Sequence, residues 1–203
     1  MIMNKFYCIL VLFLVTQLST LAQDINTKIR EIGLSISGNT FGASYKGGNE
    51  STLARLSLFS ITGSTSKHTS TTDSKSNTNA YGLGFSVGFE KRKNIAENFY
   101  LYLGSDLINS YQGHNYKTTN SSDNNHGDSY STGLGFVFGF HYKINNTINV
   151  SSEIVPNISY TYEKTSADYN GTIIESKNSG FYYGLNNYAI NLTISFTLLK
   201  NKI

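Results

Sequence analysis

The side chains with the most chemical potential in this 203-residue chain are ionisable groups set among small and apolar residues. Five of them are predicted to point into one shared interior: Arg55, Glu90, Asp106, His141 and Glu153. A buried charge is stable only when it is paired and hydrogen-bonded, so we expect these groups to pair with one another. Such a cluster either fills the interior as a polar plug or lines a narrow path for water and ions.

The elements that must hold these groups are predicted from a two-residue alternation, which is clearest in residues 131–142. Large side chains alternate there with small or polar ones, as in Phe136, Phe138 and Phe140 against Gly135 and Gly139. A period of two places alternate side chains on opposite faces of a strand. Bulk on one face and glycine on the other is the pattern of a narrow closed barrel in lipid.

The same alternation predicts eight strands, near residues 31–37, 41–45, 53–62, 81–90, 99–107, 131–142, 148–162 and 190–198. Short connections (46–51, 91–97 and 144–147) alternate with long polar ones (63–79, 113–129 and 163–179). Long loops on one side and short turns on the other are typical of outer-membrane barrels, which use even strand numbers. Residues 31–46 form either a hairpin or one bent strand with a bulge at Gly38, and the even count favours the hairpin.

Charge is sparse and confined to one face of the strands. Charged residues make up 14% of the chain, against about 25% in soluble domains. A Lys or Arg facing lipid at the bilayer midplane costs about 2–4 kcal/mol. In five strands the charge lies opposite the apolar stripe, on Glu31, Glu90, Asp106, His141 and Glu153. A soluble sandwich or lipocalin-like barrel explains the alternation but not this charge distribution.

Aromatic residues gather near the predicted strand ends, where membrane barrels carry interfacial girdles. The loop ends hold Tyr111, Tyr160, Tyr162 and residues 181–183, and the turn ends hold Phe89, Phe99 and Tyr142. The net charge of +3 is scattered, which excludes a nucleic-acid-binding surface.

The N-terminus has the pattern of an export signal. Lys5 precedes a short apolar core at 6–15, and Thr20 and Ala22 are small residues before a cleavage site. We expect a signal peptide over 1–22 and a barrel domain over 23–203, because the apolar core is too short for a membrane anchor. The only cysteine, Cys8, lies in the signal, so the mature chain is predicted to lack disulfides and thiolate chemistry.

With its signal ending in Leu21-Ala22-Gln23, its strand alternation and its loop alternation, the mature chain resembles the small outer-membrane β-barrel proteins of diderm bacteria, the OmpA-barrel/OmpX-like group. The resemblance implies an all-β, eight-stranded, antiparallel, up-and-down transmembrane barrel in the cell outer membrane. It also implies contact with outer-membrane lipids, periplasmic chaperones and the barrel-assembly machinery. It rests on pattern, so it assigns no functional residue.

Three functions are consistent with these features. The first is a structural and interaction platform whose lumen is plugged and whose loops 63–79, 113–129 and 163–179 meet surface ligands or partner proteins. The second is a narrow pore for water, ions or small solutes. The third is a lipid-modifying enzyme using His141, the only strand histidine, and we expect no enzyme because no nucleophile neighbours it in sequence.

Neither a metal nor a cofactor is predicted. The polar loops hold His68, His114 and His126, and the segment from Asp123 to Asp128 weakly resembles a cation loop. That segment lacks the ligand spacing and the distal glutamate of a calcium loop. The strand glycines do not precede a helix, so they form no phosphate-binding loop.

Overall fold

A computed structural model describes residues 29–37, 40–69, 75–118, 124–169, 172–185 and 190–198. The predicted signal peptide and its cleavage site lie outside these residues. The described elements are ten β-strands: β1 (Ile29–Ser37), β2 (Thr40–Gly48), β3 (Thr52–Thr69), β4 (Lys75–Ala96), β5 (Phe99–Thr118), β6 (Asn124–Lys143), β7 (Ile148–Ile154), β8 (Asn157–Tyr169), β9 (Thr172–Gly184) and β10 (Ile190–Thr197). Within the described ranges, no helix is long and apolar enough to cross a membrane.

Eight of these strands close a ring. Each strand from β1 to β6 pairs antiparallel with the next, β7 pairs with β10, and β10 pairs with β1. The predicted eight-stranded antiparallel barrel is therefore confirmed. Ser37 pairs with Thr40 across the first connection, so residues 31–46 form a hairpin and not one bent strand.

The remaining two strands extend the ring upward. β7 and β8 follow one strand path along β6, because the pairs Phe138–Ile154 and Gly135–Asn157 belong to one continuous register. The path is interrupted at Pro156, which has no backbone N–H to donate, although its carbonyl accepts from Phe136 N at 2.8 Å. β9 pairs with β8 above the barrel, and β10 pairs with β7 within it.

The prediction of long polar loops is wrong for most of residues 63–79, 113–129 and 163–179. β3 and β4 remain paired up to Thr69 and Lys75, and β8 and β9 up to Tyr169 and Thr172. β5 and β6 pair as far as Lys117. Ser, Thr, Asn and Tyr side chains suit an extended strand whose two faces both meet water, and each added pair continues the backbone ladder.

These extensions make one side of the barrel taller than the other. Above the ring the sheet runs β3–β4–β5–β6–β8–β9, whereas β1 ends at Ser37 and β2 begins at Thr40. Above the ring, β3 has a described strand neighbour only in β4, and β9 has one only in β8. We call the upper sheet the hairpin wall.

Two of the three short connections are shorter than predicted, and the third has the predicted bounds, 144–147. β2 runs to Gly48, and β4 runs to Ala96. The β4–β5 turn is reduced to Glu97 and Asn98, and Asn98 takes the left-handed conformation with φ 61°, which asparagine tolerates better than most residues. Lys46 and Arg92, predicted to lie in turns, are therefore strand residues.

The barrel is apolar outside and polar inside. Leu34 is 67% exposed and Phe136 is 52% exposed, whereas Glu90 is fully buried. A soluble protein rarely exposes a continuous apolar surface of this kind. A membrane barrel carries such a surface as the band that faces lipid. The outward apolar side chains include Ile32, Ile36, Leu56, Leu83, Phe85, Leu103, Leu134, Phe138, Phe140, Leu192 and Ile194.

Aromatic side chains cluster at both ends of this band. Phe99 lies 5.6 Å from Phe140 between ring centroids near the short turns, and Tyr111 lies 4.7 Å from Tyr130 towards the hairpin wall. The predicted group at residues 181–183 divides between the two faces. Tyr182 pairs directly with Ser159, an inward residue, so Tyr182 faces inward and not towards the lipid interface.

Glycines on the inner face make room for larger side chains, as the sequence predicted. A methyl group added to Gly139 would overlap the ring of Tyr102, which is fully buried in the lumen. The glycine and the tyrosine are cross-strand partners. The inner face of β6 therefore provides space that β5 fills.

We predict that Gly139→Ala destabilises the barrel by about 1–3 kcal/mol, because the methyl group overpacks the site occupied by Tyr102. Gly63→Ala is the matched control, since a methyl group there meets no atom within 4 Å. Urea unfolding of the folded protein in lipid vesicles, followed by heat-modifiable gel mobility, measures both. Equal midpoints for the two variants would contradict the packing described here.

Candidate functional site

Arg55 is the central cation of the lumen. Its Nη1 and Nη2 atoms donate to Glu153 Oε2 and Oε1 at 3.0 and 2.8 Å, and Nη1 also reaches Glu90 Oε2 at 3.1 Å. Its Nε atom lies 3.1 Å from Asp106 Oδ1. The side chain is 3% exposed, so one guanidinium pairs with three carboxylates away from water, which its planar fork of donors allows. It donates hydrogen bonds to Glu90 and Glu153, whereas its contact with Asp106 is an ion pair without hydrogen-bond geometry.

Two further cations share the same carboxylates. Arg92 donates from Nη1 and Nη2 to Glu31 at 2.8 Å each and from Nε to Glu90 Oε1 at 2.7 Å. Lys46 Nζ donates to Glu90 Oε2 at 2.7 Å. Glu90 therefore accepts from all three cations, Lys46, Arg55 and Arg92.

Neutral groups add hydrogen bonds to this assembly. Tyr102 donates its hydroxyl to Glu153 Oε2 at 2.9 Å, and Ser86 donates to Asp106 Oδ2 at 3.2 Å. Asn191 donates to Glu153 Oε1 at 3.3 Å. A buried ionic network is stable only when its members are paired and hydrogen-bonded. We call Glu31, Lys46, Arg55, Glu90, Arg92, Tyr102, Asp106 and Glu153 the lumen cluster.

Four of the five predicted interior residues are brought together here: Arg55, Glu90, Asp106 and Glu153. His141 also lies in the lumen and is 1% exposed, but neither ring nitrogen has a hydrogen-bond partner in the described part of the chain. Its ring instead meets Tyr100 edge-on at 5.9 Å. A general base needs a nucleophile within hydrogen-bond reach, and this position provides none among the described residues.

Sequence reasoning missed Lys46 and Arg92 as interior residues. Both were assigned to turns, yet each continues the alternation of its strand, Lys46 after Ser44 and Arg92 after Glu90. The signal was therefore present in the two-residue period. Lys46 is followed by glycines and Arg92 lies in a run of charged residues, and both features are typical of turns.

A cavity of about 270 Å³ lies on the hairpin-wall side of the lumen cluster. Its floor is formed by Lys46, Arg55, Asp106 and Glu153, which belong to the cluster. Its wall combines short hydroxyl and amide side chains with four apolar or aromatic ones, Leu83, Ile108, Tyr111 and Val155; the polar ones are Ser35, Ser37, Ser44, Ser57, Ser86, Ser110, Ser131, Asn157, Ser159, Asn191, Thr193 and Gln112. We call this cavity the cup.

Two residues of the segment that weakly resembles a cation loop, His126 and Asp128, lie on the outer face of the hairpin wall, and Asp123 lies outside the described residues. His126 Nε2 is 3.0 Å from Asp128 Oδ2, and Tyr111 donates its hydroxyl to Asp128 Oδ1 at 2.6 Å. This hydrogen bond from Tyr111 lowers the pKa of the Asp128 carboxyl. Within the described ranges, no group of three His, Cys, Asp or Glu side chains is arranged to hold a metal ion.

Solved structures of three outer-membrane proteins align with this chain. The major outer membrane protein of Thermus thermophilus is 9% identical with a TM-score of 0.49, and the alignment covers 86% of this chain and 100% of that protein. CarO2 of Acinetobacter baumannii is 10% identical with a TM-score of 0.41 over 86% and 100% of the two chains. CarO of the same organism is 10% identical with a TM-score of 0.33 over 87% and 98%.

No family model matches this chain, and no curated protein matches it. The closed ring of eight strands, the apolar outside and the ionic inside are features of the chain itself. They make it a small membrane β-barrel of the outer-membrane type.

Proposed function

We propose that this protein is an integral outer-membrane barrel with a sealed lumen that serves as a structural and interaction platform. Its short turns would face the periplasm, and its hairpin wall would stand at the cell surface, as in barrels with short turns on one side. The burial of the lumen cluster is the observation that carries the proposal.

The seal follows from the width of the barrel and from the contacts that fill it. The interior of an eight-stranded barrel is just wide enough for side chains to fill. Glu90, Leu53 and Tyr102 are fully buried at the level of the cluster. An ion crossing this level would have to separate Arg55 from Glu90 or Glu153, leaving charges unpaired in a dry interior.

The platform follows from the paired strands above the ring. Extended backbone held by a continuous ladder keeps its shape better than a free loop, so the hairpin wall presents a fixed surface. Its outer face carries opposite charges in a diagonal cross-strand pair, since Lys164 Nζ lies 3.0 Å from Glu175 Oε1 on the neighbouring strand. A surface ligand or partner protein would therefore meet a rigid sheet with polar side chains.

We predict that the wild-type protein shows no discrete conductance in planar lipid bilayers. Arg55→Ser removes the central cation and a large side chain, so it should open a path and produce conductance steps. Lys177→Ser, an exposed position on β9, is the matched control and should remain silent. Conductance of the wild-type protein that is lost in Arg55→Ser would show instead that the lumen is a pore.

We predict that Arg55→Met destabilises the barrel by about 3–5 kcal/mol, because three carboxylates lose their shared partner while they remain buried. Adding Glu153→Gln to Arg55→Met should restore part of the loss by removing one unpaired charge. Urea unfolding in lipid vesicles measures both, with Lys177→Met as the control. A cost for Arg55→Met no larger than that of the control would argue against a stabilising role for the lumen cluster.

We predict that the two ends of the barrel lie on opposite sides of the outer membrane. The described residues contain no cysteine, so single cysteines can be introduced and labelled with a membrane-impermeant maleimide. Ser66→Cys on the β3 extension should react on intact cells, whereas Asn146→Cys in the short β6–β7 connection should react only after permeabilisation. The reverse labelling pattern would invert the proposed orientation.

A further inference from the structure

We propose that the cup binds a neutral, polyhydroxylated solute, namely one or two sugar units entering from the side of the hairpin wall. Three features carry the proposal: a wall of hydroxyl and amide groups, a floor whose charges already pair with one another, and an exposed aromatic ring beside the wall. Each feature fits a sugar, and together they disfavour a charged ligand.

The polar side chains of the wall are hydroxyl and amide groups, and none of them is charged. Ser35, Ser44, Ser57, Ser110 and Ser159 line the cup from five different strands. None of these hydroxyls is engaged with another side chain in the described part of the protein. A serine hydroxyl both donates and accepts, which is also the property of each hydroxyl on a sugar.

The floor can add hydrogen bonds without requiring a charged ligand. Asp106 and Glu153 each have two oxygens that accept several hydrogen bonds, and their charges are compensated by Arg55 at 2.8–3.1 Å. An ionic ligand would have to compete with these pairs. A hydroxyl can donate to a carboxylate oxygen while the ion pair stays intact.

Tyr182 provides an aromatic face next to the wall. Its cross-strand partner, Ser159, lines the cup, and directly opposite residues share one face of a sheet. A methyl group added to Gly180 would lie 3.7 Å from Tyr182 Cε2, so the ring lies back along the strand over this glycine. The side chain is 53% exposed, and the C–H face of a sugar ring can stack on such a surface.

The size of the cup fits a small solute. Ligand pockets for drug-sized molecules hold about 300–1,000 Å³, and the cup, at about 270 Å³, lies just below that range. The ends of β1 and β2 at Ser37 and Thr40 lie across the ring from the hairpin wall. The hairpin wall therefore provides a tall polar surface on one side of the cup.

The inference rests on the proposed function in one respect, since the cup has a floor only if the lumen is sealed. If the lumen is not sealed, the wild-type protein will conduct ions. If the lumen is sealed but the cup binds no sugar, the protein will show neither conductance nor sugar binding. The same chemistry could come from a free sugar or from the sugars of a surface glycan.

The test uses the folded barrel in dodecyldimethylamine oxide, a detergent without a sugar headgroup. Saturation-transfer difference NMR is recorded with glucose, galactose, N-acetylglucosamine, maltose and sucrose, and with glutamate and choline as charged probes. We expect saturable binding of at least one neutral sugar and none of the charged probes. A neutral oligosaccharide released from a surface glycan forms a second arm, and displacement of the free sugar by that oligosaccharide identifies a surface glycan as the source.

Two variants locate the binding. Ser44→Phe fills the cup from β2, and Tyr182→Ala removes the exposed ring, so each should weaken binding at least tenfold. Ser179→Phe and Tyr183→Ala, on the outward face of β9, are the matched controls and should bind as the wild type does. Heat-modifiable mobility confirms that each barrel is folded. Absent binding by all five sugars, preferential binding of a charged probe, or binding unchanged in Tyr182→Ala would overturn the proposal.

Discussion

The cost of an unpaired charge in a narrow, dry interior governs the architecture of this barrel. Lipid-facing strands place their polar side chains inside, and an eight-stranded ring gives those side chains little room and little water. Every carboxylate of the lumen cluster accordingly lies within ion-pair distance of an arginine or lysine: Glu31, Glu90, Asp106 and Glu153.

The cluster also links the strands of the ring to one another. Glu31, Lys46, Arg55, Glu90, Tyr102 and Glu153 come from β1, β2, β3, β4, β5 and β7 in turn, and Asn191 of β10 joins through Glu153. β6 contributes the space at Gly139 that Tyr102 requires. A one-residue slip of any strand would turn its side chains to the other face, so the ionic contacts and the lipid surface favour the same register.

Much of the fold was predictable, because lipid on one side and a cramped lumen on the other impose a strict alternation. The strand count and the inward direction of Glu90, Asp106 and Glu153 followed from that period, and the even count favoured the first hairpin. The hairpin wall was not predictable by the same rule. Its strands meet water on both faces, so their polar residues show no alternation and look like loops. Lys46 and Arg92 were missed for a related reason, since turn-like neighbours concealed the continuing strand.

The order of residues is enough to show which side of each barrel strand meets lipid and which side carries charge, because that choice is local and repeats every two residues. Which charges meet depends instead on the closed ring. Arg55 and Glu153 are 98 residues apart in sequence, and their contact depends on the stagger of strands around the barrel. The same stagger places Tyr182 beside the cup and converts the polar stretches into the hairpin wall, because strand pairing is a property of the closed sheet and not of any single segment.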